Sequence, residues 1–293
     1  MESPVEILKH YWGYEGFRPG QEEVIRSVLS GADTLALMPT GGGKSITFQV
    51  PALARPGICL VISPLVALMK DQVSHLLRRG IRAAFISSEM PRSEILQQLE
   101  NCILGDYKFL YISPERISSD LFQGKLTALK QKVNLLVVDE AHCISQWGND
   151  LRRDYLMVAD IRDVVSEVPV LAVTASSTGA VVADICEQLH FRKGYQVFHS
   201  AFERPNLTFV VRKTDNKLAE ICHILQAVPG SAIIYCRTRQ GVESYAQKLR
   251  AAGMATDYFH AGLDPLLKNE RQQQWQSGQT RVLVATNAFG MGI

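Results

Sequence analysis

Three glycines ahead of a lysine and a serine make a cradle for an anion. The run Met38-Pro39-Thr40-Gly41-Gly42-Gly43-Lys44-Ser45 follows a short apolar stretch. Without β-carbons its backbone N–H groups can converge on an oxyanion, and the helix start behind it adds a partial positive charge. Lys44 can reach the β- and γ-phosphates of a nucleotide, and the Ser45 hydroxyl can hold Mg²⁺. The strict phosphate-loop pattern has glycine where this chain has Met38, so the loop alone also reads as a glycine-rich turn. Further along, the apolar run Asn134-Leu135-Leu136-Val137-Val138 ends in Asp139-Glu140-Ala141-His142. An acid at the carboxyl end of a parallel strand points into the crevice where ligands sit. Asp139 is placed to organise Mg²⁺, and Glu140 to orient or deprotonate an attacking water. Phosphoryl transfer asks the protein chiefly to position groups and neutralise charge; a lysine, a hydroxyl and an acid pair supply those parts.

The elements that must carry these residues are legible as a pattern. Thr34–Met38, Ile58–Ser63, Ala83–Ile86, Phe109–Ile112, Leu135–Val138 and Val170–Val173 are almost continuously apolar, as parallel strands covered on both faces are. Between them, Gln21–Leu29, Leu65–Arg79, Arg92–Ile103 and Thr178–Leu189 have helical periodicity, and an amphipathic stretch follows the glycine loop. Alternation of this kind predicts an α/β fold with a doubly wound parallel sheet. A second series follows, with strands at Ala232–Cys236, Thr256–Phe259 and Val282–Ala285 and helices at Gln240–Ala252 and Pro265–Gln276. Ser200–Asn216 reads as the connection, which places the boundary near residue 200: domains 1–200 and 201–293. Residues 1–200 carry 20 basic and 22 acidic side chains, residues 201–293 carry 11 and 7, so the second segment is the more cationic and fits contact with phosphates. The chain closes at Gly290-Met291-Gly292-Ile293, just past a strand, which predicts an incomplete second domain, truncated or a natural fragment.

Composition narrows the class. In 293 residues, 46 % are hydrophobic and 20 % charged, with a net charge of +2. That is globular composition with no gross basic surplus, so a nucleic-acid partner would be held by local patches. No segment approaches the ~20 apolar residues of a membrane span, and Met1-Glu2-Ser3-Pro4 does not open a secretory signal. The cysteines at 59, 102, 143, 186, 222 and 236 lie at least 14 positions apart. This spacing excludes a zinc ribbon, argues against a disulfide scaffold and predicts reduced cysteines in a cytoplasmic protein without zinc.

In combination the motifs resemble the RecQ family of DNA helicases, DEAH-type members of helicase superfamily 2. The resemblance is carried by the loop and by Asp139-Glu140-Ala141-His142. Tyr14-Glu15-Gly16-Phe17-Arg18-Pro19-Gly20-Gln21 ahead of the loop adds to it, as do Ser63-Pro64-Leu65 and Met69-Lys70-Asp71-Gln72. Cys143-Ile144-Ser145-Gln146-Trp147-Gly148 and Phe289-Gly290-Met291-Gly292-Ile293 complete the set, so the match spans nearly the whole chain. It implies two RecA-like domains that bind ATP and Mg²⁺, in a 3′-to-5′ motor on single-stranded and partly duplex DNA serving repair and recombination. It further implies a monomer, nucleoid-associated if bacterial. Tyr14 would stack on adenine, Gln21 bond its edge and Arg18 assist. Trp147 and Arg152, in an aromatic-rich loop, would couple DNA to hydrolysis, and Arg237, His260 and Thr286 would touch nucleic acid. The chain departs from the family at Asn149, where histidine is usual, and at Leu151, where phenylalanine is usual; both changes imply impaired coupling. Ser176 stands for a usual threonine and keeps the hydroxyl. The family's later arginine-finger motif has no counterpart before Ile293.

Two other readings share the loop and the acid pair. One is an ATP- and DNA-binding fragment with little or no hydrolysis or unwinding. The other is a phosphate-loop kinase or transporter ATPase, which would need neither the Tyr14–Gln21 segment nor a tryptophan after the acids.

Overall fold

The computed structural model of the chain describes residues 2–39, 41–145, 153–175, 177–200 and 206–290, with backbone alone at 153 and 265. Two compact units emerge, Met1–Arg204 and Pro205–Ile293. Among the described residues no helix is long and apolar enough to cross a membrane.

The first unit is built on β1 (Thr34–Leu37), β2 (Ile58–Ile62), β3 (Ala83–Ile86), β4 (Phe109–Ile112), β5 (Val133–Asp139), β6 (Val170–Thr174) and β7 (Gln196–His199). All pair in parallel, in the order β3-β4-β2-β5-β6-β1-β7. Successive side chains alternate between two apolar layers. Leu35, Leu60, Leu136 and Ala172 lie in one, and Ala36, Val61, Val137 and Val173 in the other. Both faces are therefore buried, which is why these strands read as unbroken apolar runs rather than as alternation. Hydrogen-bonded strands lie ~4.8 Å apart, and β6 alone separates β1 from β5. The carboxyl ends of those two strands thus stand ~10 Å apart, with Leu37 paired to Thr174 and Asp139 to Val173.

Two elements depart from the expected pattern. The helix after the glycine loop, Ile46–Leu53, is not amphipathic. Ile46 through Ala52 are all buried, because the helix runs beneath helices Pro4–Trp12 and Gln21–Leu29 and packs Ile46 and Val50 on Ile7, Leu8 and Ile25. Strand β7 has no counterpart in the sequence pattern either. It pairs only with β1 at the sheet edge, and its outer residues Gln196 and His199 face solvent, so it has no apolar run.

The second unit holds β8 (Ala232–Tyr235), β9 (Thr256–Phe259) and β10 (Val282–Ala285), parallel, in the order β8-β10-β9. Strand β10 is central and fully buried. Helix Arg239–Ala251 covers one face through Val242, Ala246 and Leu249, and Trp275 of helix Pro265–Gln276 packs on the other with Phe289.

Candidate functional site

The glycine turn leaves β1 and enters helix Ile46–Leu53. Gly41 and Gly43 both sit at φ +78°, a left-handed geometry that a β-carbon opposes. Thr40 lies outside the described residues. Side chains from upstream hold the turn from outside. Arg18 Nη1 donates to the Gly41 carbonyl at 2.9 Å, and Gln21 Nε2 donates to those of Gly42 and Gly43 at 3.2 and 3.0 Å. Gln21 Oε1 in turn accepts from the Arg18 N–H at 2.9 Å. Among the described residues, the amides of Gly43, Lys44 and Ser45 donate to no acceptor. Carbonyls drawn outward and amides left free are what an anion cradle requires. Gly43 has no room for more: a β-carbon there would run into Gln21 Nε2. Gly43→Ala therefore combines backbone strain of about 1–3 kcal/mol with loss of the Gln21 contact. A titration with a fluorescent ATP analogue is expected to read roughly 5- to 150-fold weaker binding.

Beside the turn lies a pocket of about 410 Å³ lined by Trp12, Tyr14, Arg18, Gln21, Gly43 and Ile46 among others. Tyr14 is exposed at 53 %, so its ring is available to a planar ligand. Gln21 is 3 % exposed and both of its amide protons serve the turn. With these bonds Gln21 positions the loop.

The acids approach from the far side of β6. Asp139 ends β5 and receives the Ser63 hydroxyl at 3.2 Å and the Glu140 N–H at 3.0 Å. Burial raises its carboxyl to about 6, and the neighbouring Glu140 charge adds to the rise; Lys44 and the two hydrogen bonds pull the other way. Glu140 sits at φ +48°, ψ +47°, a strained place for a non-glycine residue. Its Oε1 is 3.5 Å from Lys44 Nζ and its Oε2 3.4 Å from His142 Nδ1. His142 Nδ1 also shares a 2.9 Å hydrogen bond with the Thr174 hydroxyl at the end of β6. Lys44 therefore bridges the ~10 Å between the ends of β1 and β5. A buried, destabilised carboxylate and a serine hydroxyl that caps no helix N–H are hard oxygen donors. Among the described residues no group of three or more His, Cys, Asp or Glu could cage a metal. That donor set suits Mg²⁺, which keeps waters and substrate oxygens and needs only one or two protein ligands.

Sequence reasoning reaches Ser63 only within Ser63-Pro64-Leu65 and Thr174 only within the run that ends at Ser176, and places neither beside the acids. Each is a hydroxyl ending an apolar strand run, a usable signal only once β2 and β6 are known to flank β5. Trp147 and Arg152 lie outside the described residues, as do Asn149, Leu151 and Ser176. Arg237, His260 and Thr286 follow β8, β9 and β10 at the carboxyl edge of the second sheet. Arg237 is exposed and Thr286 half-buried. His260 departs from expectation: it is 6 % exposed, stacks on Tyr258 and faces Glu243 Oε1 at 3.0 Å. The imidazole is thus enclosed at the strand end, with Nδ1 making no hydrogen bond among the described residues.

Residues 18–185 match the DEAD/DEAH box helicase family, and residues 216–293 match the helicase conserved C-terminal domain. The ATP-dependent DNA helicase RecQ of Haemophilus influenzae is 39 % identical over 296 residues, which cover 100 % of this chain and 47 % of that protein. The protein of the same name from Bacillus subtilis is 42 % identical over 290 residues, covering 98 % and 49 %. The chain thus spans about half the length of the curated relatives it matches. Among solved structures, the Mycobacterium smegmatis helicase Lhr, bound to ssDNA and AMP-PNP, shares the fold. Its TM-score is 0.72 at 17 % identity, over 100 % of this chain and 43 % of that one.

Proposed function

We propose, from the premise that the chain belongs to the DEAD/DEAH box helicase family and to its RecQ branch, that it carries the ATP-hydrolysing machinery of a DNA helicase. The observation that carries this reading is the pair formed across β6: the amides of the glycine turn on one side, the acids on the other, and Lys44 within 3.5 Å of Glu140 between them. In this reading Gly41, Gly42, Gly43, Lys44 and Ser45, with Thr40, hold the triphosphate. Ser45 and Asp139 hold Mg²⁺, which would neutralise phosphate charge. Glu140 orients and deprotonates the attacking water, and Tyr14, Gln21 and Arg18 take the base. Arg237, His260 and Thr286, with Trp147 and Arg152, would meet single-stranded DNA, whose backbone is tracked in the 3′-to-5′ direction during repair and recombination.

The test is ATP hydrolysis with Mg²⁺, in the presence and absence of single-stranded DNA. Turnover is expected, rising when DNA is added. Nucleotide binding without turnover, with or without DNA, would replace the motor by a binding role. Turnover indifferent to DNA would favour a different phosphate-loop enzyme.

A further inference from the structure

We propose that Tyr155 is a positioning residue for the acid pair: its hydroxyl latches the peptide between Asp139 and Glu140. Tyr155 lies in the short helix Arg153–Leu156 and is fully buried. Its Oη donates to the Asp139 carbonyl at 2.8 Å. The N–H at the other end of that same peptide, on Glu140, donates to Asp139 Oδ1 at 3.0 Å. A peptide unit is a rigid plane, so bonds at its two ends fix its rotation. That rotation is what needs fixing, because Glu140 follows at φ +48°, a conformation a glutamate leaves unless its surroundings hold it.

Two functional placements hang on this plane. It presents the N–H that orients the Asp139 carboxylate, whose other oxygen is held by Ser63. It also aims the Glu140 side chain at Lys44 and His142. If the tyrosine hydroxyl is removed, the carbonyl is free to swing, Glu140 can relax to negative φ, and Asp139 loses the alignment that suits a metal ligand. The glycine turn is held by Gln21 and Arg18 instead, so it keeps its grip on phosphate. The inference rests on the nucleotide reading above and adds to it which residue sets the acid geometry.

The experiment is a Mg²⁺ titration of fluorescent ATP-analogue binding to the 293-residue chain, as wild type, Tyr155→Phe, Glu140→Gly and the double variant. Tyr155→Phe is expected to raise the half-saturating Mg²⁺ concentration by about tenfold, while affinity measured in EDTA stays at the wild-type value. Glycine occupies the left-handed region without strain. Adding Tyr155→Phe to Glu140→Gly is therefore expected to shift the titration far less than it does in the wild type. A purely structural tyrosine would lower thermal stability and leave the Mg²⁺ midpoint in place, and that result overturns the latch. So does an equal shift in both backgrounds, or a Tyr155→Phe chain that does not fold while Tyr155→Phe/Glu140→Gly is no better. Wild type that binds no analogue, with Mg²⁺ or without, removes the nucleotide reading itself; wild type that binds with Tyr155→Phe indistinguishable removes the latch alone.

Discussion

Lys44→Ala is expected to lower ATP turnover by about 10²–10³-fold, the scale on which loss of one preorganised charge at a reacting centre is felt. Two losses coincide. One is the cation that would meet the β- and γ-phosphates. The other is internal: Lys44 Nζ stands 3.5 Å from Glu140 Oε1 and is a charge that pulls the Asp139 carboxyl down against burial and against Glu140. That carboxyl is already raised to about 6. Removing Lys44 pushes it further toward the protonated form at neutral pH, and a protonated acid is a poor metal ligand. Turnover and turnover per KM should fall together, as they do when an interaction made in the transition state is lost. Lys44→Arg should recover only part of the rate, since a planar guanidinium does not replace a compact ammonium in a tight loop. Steady-state hydrolysis with Mg²⁺, alongside circular dichroism to verify folding, reads the result. An alanine variant keeping more than about a tenth of the wild-type rate would contradict the cradle.

The residues behind this expectation are legible in the chain's own pattern; the contacts that hold them are not. Apolar strands buried on both faces leave an unbroken signature, and both chemical motifs sit where such a run stops, so the cradle and the acids can be placed at strand ends directly. Strand order is different. That β6 lies between β1 and β5 follows from long-range pairing, and only with that order do His142 and Thr174, or Ser63 and Asp139, become neighbours. Gln21 illustrates the limit. An amide with one donor and one acceptor face suits adenine, yet its protons go to Gly42 and Gly43, a contact that depends on how helix Gln21–Leu29 lies over the turn. His260 marks a different limit. Its motif context suggests an exposed contact, but the position directly after β9 packs inward between Tyr258 and Glu243. Helix Ile46–Leu53 hides because a helix buried all round, with Pro51 inside it, has no polar face to mark its period.

At the opposite edge of the same sheet, Asp33→Ala is expected to cost about 3–5 kcal/mol of stability, the range for stripping one partner from a buried ion pair. The Asp33 side chain has no exposed surface, and five donors converge on its carboxylate. The Arg192 backbone N–H donates at 2.7 Å, and its Nε and Nη2 at 3.1 and 2.9 Å. Arg162 Nη2 donates at 3.0 Å and the Val170 N–H at 2.9 Å. The Asp33 carbonyl accepts from Gln196, so this one residue ties the starts of β1, β6 and β7. Alanine would leave Arg162, whose side chain is 3 % exposed, as a buried cation without its anion. Asparagine would turn donors toward donors and is expected to cost nearly as much. At ~2–4 °C per kcal/mol for a unit of this size, the melting temperature should fall by roughly 6–20 °C. Acid offers an independent check. Burial alone would raise the Asp33 carboxyl, but the hydrogen bonds from Arg192 and Val170 and the Arg162 charge outweigh it and leave the carboxyl below its ordinary value. A group depressed in the folded state stabilises above its unfolded value, near 3.9, and that contribution is lost as pH falls through the lower folded one. The gap between wild type and Asp33→Asn, read from urea unfolding at neutral pH and near pH 3, should therefore narrow on the acid side. Because Asp33 stands at the amino end of β1 and the glycine turn at its carboxyl end, nucleotide binding measured well below the melting temperature should survive the substitution. A variant that melted within 2 °C of wild type, or one that stayed folded in the cold yet lost nucleotide binding, would mean that the two edges of the sheet do not divide scaffold from site in this way.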